Sequence, residues 1–191
     1  MAYSGSASVN GFTLKKVKRF FTQEGCYTSA VLCYRGKKIG DYVNEGRGVS
    51  YYHFLPAEGY SEERIMEVLL SFPMIVRYEH GKSYPPVFWD IGILVDGIIR
   101  QNSILKSFRK AQKNGNIIVV ACSESFGKSF IFPVCSDLDD SQAINIAMEL
   151  SEKYEPDIRD FSFKVYRKAE ETNIIFEGVP ELSFPGRSAS V

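Results

Sequence analysis

Histidine is nearly missing from this chain: His53 and His80 are the two in 191 residues. They lack H-x-x-x-H spacing, so imidazoles alone do not outline a metal site. Cysteine is sparse as well. Cys26, Cys33, Cys122 and Cys135 form no C-x-x-C pair, which leaves out the zinc-ribbon and thioredoxin-like motifs. On an extended strand Cys26 and Cys33, an odd number of residues apart, face opposite sides and cannot share a metal. Cys122 and Cys135 are placed to approach each other across a hairpin, although reduced core thiols suit a chain with no sign of secretion. Met1–Val9 has neither the charged n-region nor the apolar h-region of a signal peptide. No apolar run reaches the roughly 18 residues that span a bilayer. These absences predict a cytoplasmic protein with no membrane contact, no metal and no cofactor.

Net charge is also absent, with 23 Lys/Arg against 23 Asp/Glu, so no global field draws the protein to nucleic acid or membrane. The distribution is uneven. Residues 1–50 hold eight basic and three acidic residues, and the excess is repaid by acids further on. A charged face and a merely solvated hairpin both account for this. Hydrophobic residues make up 45%, enough to fill a core in a chain this long.

The richest stretch is Gly25–Phe54. Two β-branched and aromatic runs flank Arg35-Gly36-Lys37-Lys38, a hairpin signal. Asn44-Glu45-Gly46-Arg47-Gly48 follows, then the aromatic run Tyr51-Tyr52-His53-Phe54. Strands are predicted over Phe12–Gln23, Gly25–Tyr34, Lys37–Val43 and Val49–Phe54. Their short connections favour an antiparallel meander. Ser61 caps a helix carrying Ile65, Val68, Leu69 and Phe72 on one stripe, and Pro73 stops it. Met74–Tyr78 reads as a short strand. A second helix spans Trp89–Lys113, its apolar face (Ile91, Val95, Ile98, Leu105, Phe108) breaking at Asn102; Gly92 and Gly97 invite close packing. Ile117–Ser123 and Ser129–Val134 form a second hairpin, with Pro133 marking an edge. Asp139 or Asp140 caps a helix over Ser141–Tyr154, and strands close the fold at Ile158–Tyr166 and Thr172–Phe176. The expected class is α+β, a single domain over 10–178, with a flexible lead-in at 1–9 and a disordered tail at 179–191.

Several constellations bear on chemistry. Gly127-Lys128-Ser129 copies the end of a phosphate-binding loop, but Cys122 stands where the first glycine belongs and a strand follows. Glu45-Gly46-Arg47-Gly48 reads either as a backbone nest for an anion or as a turn needing positive φ. Tyr27, Tyr34, Tyr42, Tyr51 and Tyr52, interleaved with basic residues, are candidate stacking platforms for single-stranded nucleic acid. His53 beside Cys26 or Cys33 would make a nucleophile pair. Asp137, Asp139 and Asp140 read as a helix cap before a metal site.

The order Tyr34-Arg35-Gly36-Lys37-Lys38, strand, Asn44-Glu45-Gly46-Arg47-Gly48, Tyr51-Tyr52-His53-Phe54 resembles a group of small uncharacterised proteins encoded by bacteriophages and prophages. There a "DGKK"-like turn leads into an "N-x-G-x-G-G" loop and a "Y-H-W"-like end. Phe88–Ala121 and the helix ending near Tyr154 are similar too. Val49 stands in place of a second glycine, and Arg35 in place of a frequent Asp. The resemblance carries no catalytic assignment. It implies a mobile-element origin, a bacterial host cytoplasm and, by association, host takeover or counter-defence.

These readings converge on a non-enzymatic binding protein that occludes a host protein or nucleoprotein, a defence component among them. The expected contact residues are Arg35, Lys37, Lys38, Gly46, Arg47, Gly48, Tyr51, Tyr52 and His53. The alternatives are a nucleic-acid or signalling-nucleotide binder on the same face and a small enzyme with a Cys/His site. A homo-oligomer is open.

Overall fold

The computed structural model describes residues 6–23, 25–47, 51–75, 78–79, 82–83, 85–123, 129–154 and 161–182. It is α+β, as expected, and its contacts divide it into two compact units. One comprises Ser6–Met74, Phe88–Arg100 and 173–182; the other, Ile75–Val87 and Gln101–Thr172.

The first unit is built on an antiparallel meander: β1 (Phe12–Thr22), β2 (Gly25–Tyr34), β3 (Lys37–Asn44) and β4 (Tyr52–Pro56), paired in that order. Alternation sends Phe12, Leu14, Leu32, Tyr34 and Tyr42 into the core, and Phe12 lies opposite Tyr34 with ring centroids 4.8 Å apart. One extra residue on β1 between Lys15 and Lys18 makes a bulge, with Lys16 in the left-handed region at φ 51. Helix α1 (Glu62–Leu70) is capped by Ser61, whose side chain accepts from the Arg64 amide, and it buries Ile65, Val68 and Leu69. An aromatic cluster of Phe72, Trp89 and Phe176 completes this core, with Trp89 Nε1 donating to the Pro73 carbonyl at 2.9 Å.

Helix α2 (Ile91–Gln112) starts where Asp90 Oδ1 accepts from the Ile93 amide at 2.7 Å. Its residues up to Arg100 belong to the first unit and those from Gln101 to the second, a division beside the Asn102 break in its apolar stripe. In the second unit, β5 (Tyr78–Glu79) and β6 (Lys82–Ser83) form a small ladder. A three-stranded sheet follows, β7 (Asn116–Ser123) between β8 (Ser129–Cys135) and β9 (Phe161–Tyr166). Pro133 sits on β8, an edge strand, as its missing N–H requires. Helix α3 (Asp140–Glu152) has a full capping box from Asp139 and Gln142 and packs Ala143 and Ala147 over Ile117, Val119 and Phe132. Among the described residues no helix is long and apolar enough to cross a membrane.

Three expectations change. Residues 7–9 are not a loose lead-in: Ala7 and Val9 are fully buried, and the Asn10 amide donates to the Ile174 carbonyl at 2.6 Å. Too short to show a period, this segment gains order from a partner 165 residues away, since the Ser8 amide donates to Asn173 Oδ1. Thr172–Phe176 is no ladder strand. A 3-10 turn spans Ala169–Thr172 and Ile174 makes an isolated parallel bridge to Val9. Finally, Cys122 pairs with Ser129 and Cys135 with Asn116 at opposite ends of their hairpin, about 20 Å apart at the strand rise, so they do not bridge. All four thiols are free, and Cys135 is exposed, outside any core.

Candidate functional site

The expected contact residues fall in two groups at opposite ends of β3. Arg35 lies in the β2–β3 turn, while Glu45 follows the end of β3. Eight strand residues separate these ends, roughly 25 Å at the usual rise. At the turn, the cations have local carboxylates: Arg35 forks onto Glu181, with Nη1 donating to Oε2 at 2.7 Å, and Lys38 reaches Asp41 at 2.6 Å. Lys37 is exposed there too. The structure therefore does not join Arg35, Lys37 and Lys38 to Arg47 in one patch.

At the other end the loop is organised by Asn44. Its buried side chain accepts the Gly46 N–H at Oδ1, 2.7 Å away, and its Nδ2 points to Tyr42 Oη at 3.4 Å. Gly46 adopts φ 99 and lies against Gly25, leaving no room for a Cβ on either residue. The Gly46 amide is thus committed within the loop, and the glycine answers a close backbone approach. This corrects the nest reading at Gly46. Gly48 lies outside the described residues.

Beyond this turn Glu45, Arg47, Tyr51, Tyr52 and His53 line a half-open depression of about 200 Å³. Arg47 and His53 are exposed, and Tyr51 is 70% exposed. Tyr52 is held differently: its hydroxyl donates to Glu62 Oε1 at 3.3 Å. Burial, then the negative fields of Asp90 and Glu62, push its phenol up to about 12, so it stays neutral at physiological pH. The depression therefore offers a cation, an imidazole and an aromatic face around a fixed phenol.

His53 forms no pair with a cysteine. It lies opposite Val43, which lies opposite Ser29, so β2 is two strands away, about 10 Å. Cys26 and Cys33 are displaced further along that strand, beyond hydrogen-bond reach. His80 lies outside the described residues, as do Gly127 and Lys128. Ser129 opens an antiparallel strand, whereas a phosphate-binding loop would need a helix there. Asp139 is spent as a cap and Asp140 pairs with Arg167.

One part of this end was not singled out by sequence. Every residue of β1 from Lys15 to Thr22 is exposed, with Phe20 at 53% and Phe21 at 89%. Phe20 stacks on Tyr27, centroids 4.5 Å apart and planes within 19°. Arg19 Nε donates to Cys26 Sγ at 3.0 Å. The excess of Lys and Arg in the first 50 residues was the available signal. Of the five tyrosines considered as platforms, Tyr34 and Tyr42 are buried in the core, leaving Tyr27, Tyr51 and Tyr52. The Gly25–Gly46 contact sets the tip end of this β1–β2 arm beside the depression.

No protein-family model, curated protein or solved structure matches this chain.

Proposed function

We propose that the protein is a non-enzymatic binding protein that occludes a macromolecular partner with the loop end of its four-stranded sheet. The observation that carries this reading is the depression lined by Arg47, Tyr51 and His53, beside an arm that exposes Phe20 and Phe21. Arginine and tyrosine around a recess are the residue types that dominate binding energy at protein interfaces. Contiguous exposed apolar surface marks contact sites, and Phe20 stacked on Tyr27 supplies such surface on the arm. The hairpin and loop pattern, similar to phage and prophage proteins, supports a mobile-element origin and a bacterial host component, a defence protein among them, as the partner.

Co-purification from bacterial lysate tests the reading. A specific partner is expected with the native chain, diminished by Arg47→Glu and by Tyr51→Ala, and retained by Lys37→Glu at the far end of the sheet. Recovery of no specific partner, or loss with Lys37→Glu alone, contradicts it. A nucleotide released on denaturation, with no macromolecule retained, would replace occlusion with nucleotide sequestration.

A further inference from the structure

We infer that the distal half of the β1–β2 arm is a binding surface for single-stranded polynucleotide. The inference rests on the reading above, that this end of the sheet makes contact, and names the chemistry of one partner.

The arm presents two kinds of group together. Lys16, Lys18 and Arg19 bring positive charge to an exposed strand segment. Phe20 and Tyr27 form an aromatic slab, and Phe20 remains half exposed after stacking on Tyr27. Register places Lys18 and Phe20 on the same face, opposite Ser29 and Tyr27 respectively. A cation next to an open ring is the combination that holds a phosphate and a base of one strand. Phe21, on the other face, is nearly as exposed as a free side chain.

Three occupants compete for such a surface, and the details separate them. Addition of a strand from a second copy needs a flat, unguarded edge. Here the edge carries a bulge and a run of lysines, two devices that oppose edge pairing. Insertion into a membrane would lead with the hairpin tip. The described residues there, Thr22, Gln23 and Gly25, carry no large apolar side chain and would enter the apolar layer before either phenylalanine. A polyanion meets neither obstacle, and it complements the charge of the arm.

The probes are fluorescent twenty-residue oligothymidylate and oligouridylate, followed by anisotropy with the full chain. Binding at about 50 mM salt is expected, weakening as salt rises with a log–log slope of about −0.7 for each phosphate contact to a single strand. Phe20→Ala is expected to weaken binding by ~5- to 150-fold, the range of one base–aromatic stack. Joint Lys16→Gln and Lys18→Gln should flatten the slope by about 1.4. Lys37→Gln, at the far end, should change nothing. The thymidylate and uridylate arms tell DNA from RNA. All these positions are exposed, and circular dichroism checks that each variant folds.

Absence of binding to both oligonucleotides at about 50 mM salt, where electrostatic attraction is strong, overturns the inference. So does binding indifferent to Phe20→Ala and to the lysine changes. Attachment to anionic vesicles without oligonucleotide binding assigns the arm to membrane and also overturns it. A dimer abolished by Phe21→Ser does the same in favour of a second copy. A protein that fails these tests yet retains its lysate partner loses the arm inference alone; loss of that partner defeats the broader reading.

Discussion

Gly25 and Gly46 meet backbone to backbone: a Cβ on Gly25 would lie 2.2 Å from the Gly46 carbonyl oxygen. One on Gly46 would lie 2.9 Å from the Gly25 carbonyl carbon. Both residues also sit at positive φ, 136 and 99. This contact ties the start of β2 to the loop after β3, and so sets the arm against the depression. Gly25→Ala is expected to cost roughly 1–3 kcal/mol, the scale of a residue forced into sparse backbone space. Urea unfolding measures it, and an unchanged midpoint would mean the contact is not structural.

Two other glycines should respond in opposite directions. On β3, a Cβ at Gly40 would fall 2.1 Å from the Phe54 ring and 2.8 Å from the Leu55 carbonyl oxygen. On α2, a Cβ at Gly97 would meet the Trp89 ring at 3.7 Å, ordinary contact. Gly40→Ala is expected to destabilise. Gly97→Ala is expected to stabilise by about 1 kcal/mol, the helix preference of alanine over glycine. Thermal unfolding of the pair checks both signs.

Asp96 gives stability a pH dependence. Burial pushes its carboxyl above the usual range, Asp90 adds to the rise, and Arg19 opposes it. With the folded value raised, the native state binds more protons than the unfolded chain between the two values. Stability therefore falls as pH climbs from the ordinary value near 3.9 through the raised one. Asp96→Asn removes that cost. The variant should gain stability at pH 7 and gain little at pH 3, where the acid is protonated in both states. An equal gain at both pH values would contradict the assignment.

The thiols should react in order of exposure. Cys135 is exposed, whereas Cys33 is buried with its thiol pushed up by that burial, Lys15 and Lys38 pulling the other way. Thiol titration with a chromogenic disulfide is expected to modify Cys135 first and Cys33 last, with four thiols reactive after denaturation. Two or none in the absence of reductant would indicate a bridge within the chain.

Local signals carried most of the fold. Gly25–Tyr34 is a strand with the bounds expected from its β-branched run, and Ser61 and Asp139 cap their helices through their own side chains. The site was less legible because its residues depend on register and cover. Arg35 and Arg47 are close in sequence, yet β3 carries the chain the length of the sheet between them. Phe20 and Phe21 read as an apolar pair in a strand. Whether such a pair is core depends on whether another element covers it, and nothing local decides that. Tyr34 and Tyr42 show the converse, since their positions opposite Phe12 and next to Asn44 take them inside.

Photo-crosslinking from the loop end tests the central claim most directly. Benzoylphenylalanine in place of Tyr51, irradiated in bacterial lysate, is expected to give a discrete covalent adduct, and the same group in place of Lys37 to give none. An adduct from position 37 alone, or no adduct from either position, would contradict the account.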